Sequence, residues 1–95
     1  KLLESAGVFS IVLECVETSL AKKVTNQIRI PTIGIGASNN CDGQILVLDD
    51  LIGLNPIDVR FVKKYSNIRK EIKKAVSNYS KEVKQKKFPL KKHSY

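Results

Sequence analysis

The chain has 95 residues, 42% hydrophobic and 27% charged, with 17 Lys+Arg against 9 Asp+Glu. That is the size of one modest domain or of a piece of a larger one, and it leaves no room for two independent cores. The longest uncharged run, residues 30–41, holds 12 residues broken by Pro31, Gly34 and Gly36, too short for a membrane-spanning helix of roughly 20 residues.

The opening stretch predicts no signal sequence, because Glu4 interrupts its apolar residues. Cys15 and Cys41 have neither the dense spacing of a secreted scaffold nor the paired spacing of a zinc site, so a reducing, cytoplasmic location is expected. The charge is unevenly placed. Residues 1–59 carry four basic and seven acidic groups, whereas residues 60–95 carry thirteen basic and two acidic, so the net +8 belongs wholly to the second stretch. Phe61, Tyr65 and Tyr79 fall there on an apolar stripe and are not interleaved as a base-stacking platform. A solvated helix face is therefore favoured over a nucleic-acid site, and no nucleic-acid or membrane partner is expected.

In chain order, Ser10, Ile11, Val12 and Leu13 read as a buried strand closed by Glu14. Leu20, Ala21, Val24 and Ile28 recur at helical spacing behind Thr18 or Ser19 as N-cap, and Ile30-Pro31 ends that helix. Residues 32–37 read as a second buried strand, whose Gly34 and Gly36 leave room beside it. After the turn-rich residues 38–43, the apolar run Gln44 to Leu48 reads as a third strand, followed by Asp49 and Asp50. Continuous apolar runs separated by a helix predict parallel strands, hence β-α-β-loop-β from an α/β sheet or barrel. From Phe61 to Val83, apolar residues recur at spacings of 4, 3, 4, 4, 3 and 4, which predicts one long amphipathic helix. Phe88-Pro89 ends it ahead of a polar tail holding the only histidine, His93. Three parallel strands with one clear covering helix leave sheet faces unprotected, so further structure is expected upstream.

Several residues could carry chemistry. Glu14 directly follows a strand, and the carboxyl ends of parallel strands open onto ligand sites in α/β folds, where a general base would stand. Its plainer reading is an exposed carboxylate. Gly34-x-Gly36 lacks the third glycine of a dinucleotide fingerprint, since position 39 is Asn39; close packing is favoured over a phosphate-binding turn. Asp42, Asp49 and Asp50 are loop acids of the kind that magnesium accepts but that are usually solvated. Cys15 has no histidine near it in sequence and is expected to be a packed thiol rather than a nucleophile.

Ile11-Val12-Leu13-Glu14-Cys15-Val16, then Ile30-Pro31-Thr32-Ile33-Gly34-Ile35-Gly36-Ala37, then Cys41-Asp42-Gly43-Gln44-Ile45-Leu46-Val47-Leu48 together resemble ketopantoate hydroxymethyltransferase. The resemblance continues through Phe61-Val62-Lys63-Lys64-Tyr65 to Phe88-Pro89 and His93-Ser94-Tyr95. It implies the carboxy-terminal part of a (β/α)8 TIM-type barrel: residues 1–56 as the last three strands and their connecting helix, 57–87 as the terminal amphipathic helix, 88–95 as a polar tail. The implied activity moves a hydroxymethyl group from methylenetetrahydrofolate to the keto acid 3-methyl-2-oxobutanoate, giving 2-dehydropantoate (ketopantoate) for pantothenate and coenzyme A synthesis. It implies metal-assisted enolisation, with Glu14 as the base and Ile35, Ile45 and Val47 lining the substrate pocket.

Magnesium is the implied metal. Its aspartate ligands, and the lysine and histidine that hold substrate, belong to earlier strands, so no metal ligand is expected in this segment and the segment alone is expected to be inactive. A homo-oligomer, commonly a decamer of two stacked pentamers, is implied for the complete protein. Departures from the family pattern are Glu17 where proline is usual, Ser38 for glycine, Asp49 for histidine and Leu90 for glycine. Glu17 either raises the pKa of Glu14 by like-charge repulsion or caps the next helix. The alternative to a transferase is a noncatalytic remnant that serves only as an assembly module.

Overall fold

A computed structural model describes all 95 residues. The elements in chain order are α1 (Leu2–Ser5), β1 (Ile11–Glu14), α2 (Thr18–Gln27), β2 (Thr32–Ile35), β3 (Gly43–Gln44), α3 (Leu48–Leu51), α4 (Ile68–Lys84) and a 3-10 turn (Lys91–His93). The three strands form one parallel sheet in the order β1-β2-β3. The β-α-β-loop-β reading of the first half is therefore observed.

The first two strands and α2 form where the local sequence places them. Ile11, Val12 and Leu13 supply the β-branched and apolar run, and the register pairs Ile11 with Thr32 through to Glu14 with Ile35. The cap of α2 is Glu17, one residue before the expected Thr18, and the helix ends at Gln27, with Ile28 of the expected stripe already extended. The Glu17 carboxylate accepts from the backbone N–H groups of Ser19 and Leu20, both at 3.0 Å, so of its two expected roles the capping one is observed. Ala21, fully buried, lets α2 sit close, and the Thr25 and Thr32 hydroxyls meet at 2.9 Å to join α2 to β2.

The third strand is shorter than the apolar run 44–48. Its ladder covers Gly43–Gln44 and is extended by the Ile45 N–H donating to the Gly34 carbonyl at 3.0 Å. No strand lies on the far side of β3, so residues 46–48 have no further ladder to join, although Val47 keeps an extended backbone. The chain turns instead into α3, with Asp49 and Asp50 in its first turn, where acids complement the helix dipole.

The long helix also starts later than its apolar spacing implies. α4 runs Ile68–Lys84, leaving Phe61 and Tyr65 in the segment before it. The Tyr65 N–H donates to the Leu51 carbonyl at 2.8 Å and the Ile68 N–H to Ile52 at 3.0 Å, so these donors serve the end of α3 instead of an earlier helical turn. Asn67 then caps α4 by accepting from the Lys70 N–H. The tail after Phe88 folds back, with Phe88 edge-on to Tyr79 at 5.6 Å and beside His93 at 5.3 Å.

The chain is extended, with a radius of gyration of 22.3 Å and extents of 67 × 29 × 15 Å. A compact chain of this length has a radius of about 12 Å. Its accessible surface of 7904 Å² compares with about 5,500 Å² for a folded monomer of this mass. Only seven residues are buried, so hydrophobic burial falls far short of the ordering cost. No helix is long and apolar enough to cross a membrane. The 95-residue chain alone is thus predicted to lack a cooperative thermal transition, with helical circular dichroism declining gradually on heating; a sharp sigmoidal melt would contradict this.

Candidate active site at the strand ends

The ladder fixes which side chains share a face. Partners across a parallel register project to the same side, and successive residues alternate. Val12 and Glu14 therefore share one face with Ile33 and Ile35. Ile45, one residue past the pairing of Gln44 with Gly34, continues that row. Glu14, Ile35 and Ile45 thus form one row across the carboxyl ends of the three strands. The opposite face carries Leu13, Thr32, Gly34 and Gln44, and α2 covers it. On the Glu14 face Val12 and Ile45 stand about half exposed, at 55% and 49%, whereas Ile35 between them is buried.

Glu14 is the last residue of β1, and the chain leaves the strand sharply after it. Cys15 has φ 51 while its N–H still donates to the Ile35 carbonyl at 2.9 Å, a left-handed conformation uncommon outside glycine. The thiol of Cys15 is exposed, which corrects the expectation of a packed cysteine; the chain turns out of the strand at this residue. Cys41 is the buried one. Val47 stands beyond the ladder as the residue preceding α3, exposed and unsupported by a neighbouring strand.

The other carboxylates between β1 and β3 are engaged. Glu17 is held below the ordinary carboxylate range by the Ser19 hydroxyl, then by the N–H groups of Ser19 and Leu20. Asp42 is likewise lowered, first by the Thr32 N–H (2.8 Å) and then by the Thr32 hydroxyl (3.1 Å). Glu14 accepts no hydrogen bond from any protein group. Glu14 is exposed at the end of its strand, and such a free carboxylate can accept a proton from a bound ligand; one whose oxygens are filled by structural donors is poorly placed to do so.

No three His, Cys, Asp or Glu side chains converge to hold a metal ion. Asp42 is committed to Thr32, and Asp50 accepts from Asn55 at 2.9 Å.

Past the ends of β1 and β2 lies an open cleft of about 770 Å³, bordered by Cys15, Glu17, Ser38, Gln44, Arg60 and Phe61 among others. Gly36, at φ +62, makes it possible: a Cβ there would stand 2.7 Å from Phe61 Cβ. Gly34 similarly admits Gln44, whose amide would lie 2.9 Å from an added Cβ, and the Gln44 Nε2 donates to the Ser38 carbonyl at 2.6 Å. Both glycines serve close packing, as their spacing favours. Arg60 and Gln44 were not singled out as site residues in the sequence, because only the folded chain brings them to the strand ends.

The ketopantoate hydroxymethyltransferase sequence profile matches residues 1–91. The chain belongs to the ketopantoate hydroxymethyltransferase family. It is 67% identical over 95 residues to a 3-methyl-2-oxobutanoate hydroxymethyltransferase of Pelagibacter ubique, covering all of this chain and 37% of that protein. A protein of the same name from Kosmotoga olearia is 56% identical over 90 residues, covering 94% of this chain and 34% of its own length. One from Clostridium botulinum is 52% identical over 96 residues, covering 100% and 35%. The chain therefore spans about a third of the length of these curated members of the ketopantoate hydroxymethyltransferase family.

The tie between Asp42 and Thr32 yields a prediction for acid stability. A carboxylate whose folded pKa is lowered stabilises fully above its unfolded pKa, about 3.9 for aspartate, and that contribution is lost as pH falls through the folded value. In the full-length protein, Asp42→Asn should be less stable than wild type at pH 7, with the gap closing below about pH 4, as read by urea unfolding. A gap independent of pH would contradict the assignment.

Proposed function

We propose that this chain forms the carboxy-terminal part of a (β/α)8 barrel whose complete form, in the cytoplasm, transfers a hydroxymethyl group from methylenetetrahydrofolate to 3-methyl-2-oxobutanoate. The product is 2-dehydropantoate. The observation that carries the reading is the unengaged Glu14 carboxylate at the end of β1, in one row with Ile35 and Ile45, within a chain of this family.

In this reading the uncovered sheet face is the barrel interior. Glu14 takes the proton from the carbon next to the substrate ketone, and the electron pair left behind delocalises onto the ketone oxygen. That carbon then bonds to the methylene carbon of the folate as one of its two C–N bonds breaks, and water adds the hydroxyl as the second C–N bond breaks. Tetrahydrofolate leaves with the proton taken by Glu14 and one proton from water on its two freed nitrogens. Ile35 and Ile45 pack against the substrate's isopropyl group and keep water from the developing charge. Val47 extends the apolar wall. The ligands of the magnesium ion that the family resemblance implies lie outside this chain.

The exposed stripe of Ile72, Val76, Tyr79 and Val83 on α4 supports assembly of the complete protein into a homo-oligomer, a decamer by the resemblance. The test of the catalytic role is Glu14→Gln in the full-length protein. Solvent deuterium exchange at the substrate C–H should fall by a factor on the order of 10²–10⁴, with keto acid binding retained in calorimetry. Retained exchange would remove Glu14 from the role of base.

A further inference from the structure

Arg60 is a cation with no partner. It makes no hydrogen bond and no ion pair, whereas the nearby Lys63 lies over the Tyr65 ring, 5.1 Å from its centroid. Arg60 borders the cleft at the ends of β1 and β2, and the adjoining Phe61 keeps 36% of its surface exposed while its side chain rests on the space left by Gly36. The one carboxylate on the cleft, Glu17, has its charge met by three donors from Ser19 and Leu20. The cleft therefore has among its lining a guanidinium without an acidic partner and a part-exposed aromatic ring. That pairing suits a ligand carrying a carboxylate close to a planar ring, since guanidinium binds carboxylate through a two-pronged fork and aromatic rings stack on one another.

The cleft lies past the strand ends and takes in Cys15 and Gln44 but none of Glu14, Ile35 and Ile45, so it is separate from the proposed reaction centre and a ligand serving both must reach across the strand ends. Of the two substrates, the keto acid has a carboxylate and no ring. The folate has both, in the p-aminobenzoyl-glutamate tail that leads away from the methylene carbon. We propose that the cleft of Arg60 and Phe61 is the subsite for that tail, with Arg60 holding a glutamate carboxylate and Phe61 facing the benzoyl ring. The inference rests on the transferase reading above and adds to it a place for the co-substrate. Phe61 is held by its fit to Gly36 and the Gln44 amide is fixed on the Ser38 carbonyl, so part of the subsite is in place before any ligand arrives.

The test uses the full-length protein and p-aminobenzoylglutamate, which lacks the pterin and the reacting carbon. Calorimetry should detect its binding to wild type, weakened about tenfold or more in Arg60→Ala and partly restored in Arg60→Lys. In steady state, Arg60→Ala should raise KM for methylenetetrahydrofolate by a similar factor. The KM for the keto acid and its folate-independent deuterium exchange should stay at wild-type values, which also shows that the variant is folded. Equal binding of p-aminobenzoylglutamate to wild type and Arg60→Ala, or none to wild type, would overturn the subsite. Equal competition by inorganic phosphate would reduce it to a general anion patch and overturn it as well. If wild type binds p-aminobenzoylglutamate through Arg60 yet neither exchanges nor turns over the keto acid, the transferase reading fails and the subsite stands.

Discussion

The ladder between β1 and β2, from Ile11 opposite Thr32 to Glu14 opposite Ile35, is the constraint on which the placement of every candidate functional group depends. A slip of one residue would send Glu14 to the face that α2 covers and bring Leu13 to the open one, because side chains alternate along a strand. Two features hold the register. Thr32, fully buried, is clamped from one side by the Asp42 carboxylate and meets Thr25 of α2 on the other. At the opposite end, the Cys15 N–H closes onto the Ile35 carbonyl just as the chain turns away. The acid is thus fixed at the mouth of the sheet by polar contacts at both ends of a four-residue strand.

The same arrangement accounts for the extended shape of the chain. One face of the sheet is served by α2, the other leaves Val12 and Ile45 half exposed beside a buried Ile35, and α4 projects away with its apolar stripe uncovered. An apolar row left in water is costly in proportion to its area. These 95 residues do not themselves supply the burial that would offset that cost, and the chain spans about a third of the length of the relatives it matches.

What was legible in the sequence follows from how local each signal is. β1, α2 and β2 were readable because each is specified within a few residues: a β-branched run, an apolar periodicity, a proline. The carboxyl end of β3 was not, because residues 46–48 would need a strand on their far side to join a ladder. The start of α4 was overshot for a related reason. Phe61 and Tyr65 continue the helical spacing by coincidence, while their segment is held by long-range bonds to α3; the Asn67 cap was the local signal available to correct it. Glu14 could be singled out because a strand end is a sequence feature. Its row with Ile35 and Ile45 follows from the β3 register, and the cleft at Arg60 depends on Phe61 meeting Gly36, a contact that no spacing announces.

In the proposed reaction Glu14 faces the substrate at the carboxyl ends of the strands. The most direct test is an experimental structure of the full-length protein with 3-methyl-2-oxobutanoate bound. The account predicts a Glu14 carboxylate oxygen about 3 Å from the carbon beside the ketone, with Ile35 and Ile45 against the isopropyl group. A keto acid bound elsewhere, with Glu14 turned to solvent, would contradict it.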